Sequence, residues 1–242
     1  MAFSVRNTSA IAINSENVLI FLPGITNSPQ HVGVNAKSSF LVESKGINDR
    51  LAVTLNNIPP YYNNDILITA SVSLSVNSSE SKLVAPKLIK ISDISNVAKS
   101  LSEEILNNTS RNYPEAIAEW IPLNIKQEQY NSEQQSVERT LEIRRGDCTD
   151  VAELARQLLV YEDIPAFVVG GFVVKGSSAF VAAREYHNWI YYLENGLWKI
   201  MDPSTGLVDV NYSDYVAFDI FQNEKNYSRF STTNQNLELL MK

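Results

Sequence analysis

Arg144-Arg145-Gly146-Asp147-Cys148-Thr149-Asp150 runs directly into an apolar stripe formed by Val151, Leu154, Ala155, Leu158 and Leu159. That spacing places one face of a helix in a core, with Gly146-Asp147 as the turn and N-cap before it. Cys148, the only cysteine in 242 residues, therefore falls in the first helical turn. There the backbone N–H groups left over by the helix and the positive end of its dipole favour a thiolate, the form of sulfur that attacks carbonyls. The alternative is an inert core cysteine, a common fate of a lone cysteine in an intracellular chain.

A second segment weighs against inertness. Tyr186-His187-Asn188-Trp189-Ile190-Tyr191-Tyr192-Leu193-Glu194-Asn195-Gly196-Leu197-Trp198-Lys199-Ile200-Met201-Asp202-Pro203 has aromatic and β-branched residues in both arms. Asn-Gly between them is the preferred pair for a two-residue hairpin turn with positive φ at both positions. In that register Leu193 faces Trp198 and, counting outward, Trp189 faces Asp202. Alternation then puts His187, Trp189, Trp198, Ile200 and Asp202 on one face. His187 and Asp202 become diagonal neighbours at roughly 7–8 Å between backbones, a gap that side chains bridge. An Asp beside a His orients the ring and stabilises the imidazolium, and a His so held can take the proton of a cysteine. The pattern does not say whether the Cys148 helix packs on this face.

Gly146-Asp147-Cys148 before a helix, Ile164-Pro165-Ala166 leading into a valine-rich strand that ends at Gly170-Gly171, His187 two residues before Trp189, and Trp198 ahead of Asp202-Pro203-Ser204 together resemble the transglutaminase-like superfamily. The resemblance covers roughly residues 90–210, with Cys, His and Asp in the family's order at intervals of 39 and 15 residues. It implies an α+β, papain-like core: a helix bearing Cys148 packed on an antiparallel sheet bearing His187 and Asp202. It also implies acyl transfer, with Cys148 as nucleophile, His187 as proton shuttle and Asp202 as its orienting partner. No cofactor or metal is implied. The segment ending in Ile125-Lys126-Gln127 is similar to the one where relatives carry an aromatic residue, usually Tyr, near the thiol. Gln127 stands there instead, either as an oxyanion donor or as a solvated loop residue. Trp189 shields the His–Asp bond in this reading, or is simply core. Arg144 and Arg145 read as paired surface arginines, with a role beside the thiolate as the alternative.

The implied substrate is a protein or peptide, through a peptide bond or a glutamine amide. Hydrolysis is favoured over crosslinking because the chain lacks the multi-domain build and calcium-ligand loops of animal crosslinking enzymes. Two further readings are a binding module whose β domain docks to an assembly and an acyl carrier on Cys148. A formal charge of −7 without a long basic run argues against a nucleic-acid partner. One cysteine and two histidines leave no intramolecular disulfide and no expected Cys/His zinc site, which disfavours the zinc-bearing peptide N-glycanases of the family. Residues Met1 to Ile13 lack a secretory pattern and no stretch reaches a membrane-spanning length, so a cytoplasmic location is the default expectation, with export by another route left open. N-x-S/T triplets at Asn7, Asn77, Asn107 and Asn226 reflect an Asn- and Ser-rich composition.

The first 82 residues have a different character. Short β-type runs at Ala10–Ile13, Asn17–Leu22, Ser38–Val42, Leu51–Leu55 and Ile66–Val76 alternate with turn signals such as Leu22-Pro23-Gly24 and Ile58-Pro59-Pro60. They predict a small antiparallel β-sandwich, residues 1–82, preceding a catalytic domain, residues 83–242, with the boundary in the polar stretch Asn77–Lys82. This domain is the expected surface for a partner protein. His31 reads as an ordinary residue of a loop-like part. Beyond the boundary the period changes: Ile94, Val97, Ala98, Leu101 and Ile105 fit one helix face, and Ala116, Ile117, Trp120 and Ile121 another after Pro114.

Overall fold

The computed structural model describes residues 2–25, 30–36, 40–45, 48–74, 93–129, 135–174, 182–210, 212–220 and 230–241. The predicted boundary, Asn77–Lys82, lies outside them. Six strands come first: β1 (Ala2–Asn7), β2 (Ile13–Ile25), β3 (Gln30–Ala36), β4 (Phe40–Lys45), β5 (Asn48–Ile58) and β6 (Asn63–Leu74). His31 is therefore in a strand, paired with Ser73, and not in a loop. Pro23 and Gly24 do not end β2. They sit where its pairing with β5 shifts register between Phe21 and Ile25, an irregularity that accommodates a residue without a backbone donor.

The central part follows as α1 (Asn96–Asn108), α2 (Tyr113–Asn124), β7 (Lys126–Gln127), α3 (Val137–Ile143), β8 (Arg145–Gly146), α4 (Cys148–Tyr161), β9 (Ala166–Val173), β10 (His187–Glu194), β11 (Leu197–Asp202), β12 (Leu207–Val208) and β13 (Tyr215–Ile220). Ser95 caps α1 by accepting a hydrogen bond from the Ala98 N–H, and Pro114 occupies the first turn of α2, where its missing donor costs nothing. β12, β11, β10, β9 and β13 form one sheet in that order. The hairpin has the predicted register: Leu193 opposes Trp198, and Asn195 and Gly196 take φ of 52° and 78°. Ala152, Ala155 and Leu159 of α4 join Val168, Ile190, Tyr192 and Met201 of the sheet in one core. Phe167, Val169, Trp189, Tyr191, Ile200, Tyr215 and Ala217 form a second core on the opposite face.

Two last strands, β14 (Phe230–Thr232) and β15 (Leu237–Met241), depart from the predicted layout. β15 pairs with β1, and β14 with β2. The sandwich thus consists of a sheet ordered β15-β1-β6-β3 and one ordered β14-β2-β5-β4. Phe3, Val5, Leu237 and Leu239 from the first meet Val18, Ile20, Leu51 and Val53 from the second. The β-sandwich does not merely precede the helical core. Residues 230–241, placed on the catalytic side by a cut at residue 82, pair with the sandwich, and the helical core is inserted between β6 and β14. Asn7, from one of the N-x-S/T triplets, is buried and donates to the carbonyls of Ile11 and Pro59 at 2.9 Å.

Candidate active site

The local chemistry of Gly146-Asp147-Cys148-Thr149-Asp150 sets where α4 begins. Asp147 Oδ1 accepts from the N–H groups of Thr149 and Asp150 at 2.8 and 3.3 Å, while Asp150 Oδ2 accepts from the Asp147 N–H at 3.0 Å. This capping box uses carboxylates at both ends, and both suit the positive end of the helix. Gln135 closes the outer side of Asp150 with its backbone N–H and its amide, each at 3.0 Å. Burial pushes the Asp150 carboxyl up from its ordinary range, against the lowering effect of those donors. Gly146 is required by space: a Cβ there would lie 2.8 Å from the Asp150 Cβ. Cys148 becomes the first residue of α4, only 8% exposed, with a backbone N–H that helix geometry leaves without an intrahelical acceptor.

His187 is the first residue of β10, and its Nε2 lies 3.0 Å from Asp202 Oδ2. The diagonal pairing read from parity is thus present as a direct hydrogen bond. The ring also lies close enough to the Cys148 side chain for the two to interact electrostatically. With Nε2 committed to Asp202, Nδ1 is the nitrogen left for the sulfur. Burial alone would push the imidazole down, but the hydrogen bonds and charges of Asp202 and Cys148 outweigh it and raise His187 to about 10. The structure brings the three residues together, though not by stacking α4 on the face that holds Trp189 and Ile200. The helix covers the other face. Contact is made at the mouth of the sheet, where His187 begins its strand beside the start of α4.

Asp202, 2% exposed, is the best-anchored of the three. Ser204 donates its backbone N–H to Oδ1 at 3.2 Å, and the Tyr215 hydroxyl donates to Oδ2 at 3.1 Å. Burial and the Asp202 charge push the Tyr215 phenol upward, which keeps it a donor. Tyr215 was not indicated by the sequence, since it lies on β13, across the sheet and beyond the recognisable motif. Tyr215→Phe should lower stability by about 1.5–3 kcal/mol in urea unfolding, the range for a hydrogen bond to a charged group. A change within about 0.5 kcal/mol, the ordinary scatter of neutral substitutions, would show that Ser204 and His187 alone satisfy the carboxylate. Trp189 is fully buried, 6.4 Å from the His187 ring between centroids, and meets Tyr215 edge-on at 5.1 Å.

Gln127 is exposed, on the two-residue β7 that runs parallel to β8 and pairs it with Gly146. The Glu128 N–H donates to the Gly146 carbonyl at 2.9 Å, which ties this strand to the loop bearing Cys148. Arg145 forms an exposed ion pair with Glu128, and Arg144, in the left-handed region with φ 56°, lays its guanidinium 5.2 Å from the Trp120 ring centre. These contacts match the reading of both arginines as surface residues.

A family model described as the transglutaminase-like superfamily matches residues 96–203. Among solved structures, a candidate cysteine protease from Cytophaga hutchinsonii superposes with a TM-score of 0.58 at 16% identity, covering 100% of this chain and 90% of that one. The periplasmic domain of TgpA from Pseudomonas aeruginosa is a more distant match, with a TM-score of 0.41 and 14% identity over 83% of this chain and 72% of that one. LapG from Legionella pneumophila has a TM-score of 0.39 at 14% identity over 58% and 87% of the two chains. No curated protein matches the chain in sequence. The matched segment, residues 96–203 with Cys148, His187 and Asp202 inside it, belongs to the transglutaminase-like superfamily.

Proposed function

We propose that the chain is a cysteine-dependent acyl-transfer enzyme that hydrolyses peptide bonds or glutamine side-chain amides. The observation that carries this is the 3.0 Å bond between the His187 ring and the Asp202 carboxylate, with Cys148, the first residue of α4, interacting with the same ring. In this mechanism the Cys148 thiolate adds to the carbonyl carbon, and the oxygen takes up the negative charge. The Cys148 backbone N–H donates to that oxyanion, and the Gln127 amide is the second donor, a role supported by the pairing of the Gln127 backbone with Gly146. His187, protonated at Nδ1, gives its proton to the leaving amine, and the C–N bond breaks to leave a thioester. Water then adds, giving its proton to His187, and the acid leaves as the thiolate reforms. Asp202 holds the imidazolium in place, with Trp189 and Tyr215 shielding that bond from water. A protein amine in place of water would give a crosslink instead. Residues 175–179, which the sequence suggests as the selector of the acceptor, lie outside the described residues.

Iodoacetamide alkylation of Cys148 tests the reading without a known substrate. An ionised thiolate–imidazolium pair should give a fast rate that persists well below about pH 8.5, the value of an unperturbed thiol. A profile that only rises through that value would overturn the proposal. Mass spectrometry with peptide and glutamine-amide substrates separates the outcomes. A hydrolase releases acid, a carrier accumulates thioester, and a binding module stays unmodified.

The same pair links stability to pH. His187 binds its proton more tightly folded than unfolded, so its contribution is complete below about 6.5, the unfolded value, and is lost as pH rises through about 10. Urea midpoints should therefore fall between neutral pH and about 10 in the wild type, and fall less in His187→Ala.

A further inference from the structure

We infer that Asn188 and Thr149 form a latch that sets the distance between the Cys148 sulfur and the His187 ring, and are positioning residues for the reaction proposed above. Asn188 Nδ2 donates to Thr149 Oγ1 at 2.7 Å, in a bond buried between α4 and β10. Each residue is the immediate neighbour of a member of the reacting pair, Thr149 of Cys148 and Asn188 of His187. One side-chain bond thus spans the same two backbones as the sulfur–imidazole contact. Alternation makes this possible: Asn188 points toward the helix-covered face of the sheet while His187 points the other way.

Four further features indicate that this slot serves geometry rather than packing. Asn188 is 5% and Thr149 8% exposed, so neither bonds freely to solvent. Asn188 Oδ1 is buried without a hydrogen-bond partner among the described residues. Leaving an acceptor unpaired is a cost that an apolar side chain of similar size would avoid, and the amide offsets it only through the bond its N–H groups make. The residue opposite is Gly170, where a Cβ would lie 2.9 Å from Asn188 Oδ1, so the facing strand leaves room for the amide. At the other end, Thr149 is fixed independently, because its N–H donates to Asp147 Oδ1 at 2.8 Å. Capping box, latch and His187–Asp202 bond therefore hold successive residues on both sides of the sulfur–imidazole pair.

The inference rests on the proposed function, and the test separates the two. Cys148 alkylation by iodoacetamide is followed against pH in the wild type and in Asn188→Ala, Thr149→Val, the double variant, Thr149→Ser and His187→Ala, with thermal unfolding in parallel. A latch predicts that Asn188→Ala and Thr149→Val each slow alkylation at about pH 6 by about tenfold or more, the scale of a small misplacement. The loss should shrink toward about pH 10, where any thiol is ionised. The double variant should be no worse than either single one, and Thr149→Ser, which keeps the acceptor oxygen, should restore most of the rate. A merely structural role would lower the unfolding temperature without changing the pH profile, and that result would overturn the inference while the His187 dependence stood. A wild-type profile unchanged by His187→Ala would overturn both. Should Asn188→Ala fail to fold, Thr149→Val against Thr149→Ser carries the same comparison.

Discussion

In the proposed reaction His187→Ala should reduce turnover of an amide substrate by about six orders of magnitude, the scale seen when the histidine of a hydrogen-bonded catalytic unit is removed. In the proposed mechanism the variant loses both the proton donor for the leaving amine and the positive charge beside the sulfur. Among the described residues, Asp202 would then be a buried carboxylate held only by Tyr215 and the Ser204 N–H. Alkylation of Cys148 should revert to the profile of an ordinary thiol, and the acid stretch of the wild-type curve should vanish. Retention of that stretch would assign the activation to the N-terminus of α4 alone and remove His187 from the mechanism. Added imidazole offers a further check, since a small ring entering the vacated space should recover part of the turnover.

Gly171→Ala should be the most damaging single methyl addition in the described residues. A Cβ at this position would overlap the Val216 carbonyl oxygen of β13 and lie 2.7 Å from the Trp189 ring. Neither neighbour can move cheaply: one is backbone in a paired strand, and the other is a fully buried indole in the core behind His187 and Asp202. We expect a loss of about 3 kcal/mol or more, at the upper end of overpacking effects, read as a lowered urea midpoint or as insoluble protein. If the variant folds with a normal midpoint, β13 is free to slide, and the Tyr215–Asp202 bond it carries should be lost with it.

Much of the site was legible in the sequence because its information was local. The Asn195-Gly196 turn fixed the register, and register placed His187 beside Asp202. The Asp147 cap fixed where α4 begins, and hence that Cys148 is its first residue. The side of the sheet that α4 covers was not legible. Both faces of β9, β10 and β11 are apolar, so alternation that normally separates core from solvent cannot rank them. Asn188 and Thr149 follow from that missing choice, since their bond exists only with the helix on the Ile190 and Tyr192 face. Gln127 sits on a two-residue parallel strand, too short to leave a periodic signal. Tyr215 and the strands β14 and β15 depend on pairings between segments distant in the chain, which no window along the sequence contains.

The insertion of the central core between β6 and β14 also dictates an order of events during synthesis. Phe3 pairs with Met241 and Leu19 with Ser231, so the sandwich has very high contact order, while the helices and the five-stranded sheet draw on a continuous stretch. As the chain leaves the ribosome, the thiol-bearing core can fold before the last strands of the sandwich have been made. The sandwich therefore closes last and slowly, since loop entropy must be met before its most distant pairings form. Until then β1 and β2 present unpaired edges, the segments where a nascent chain of this design is most exposed to aggregation.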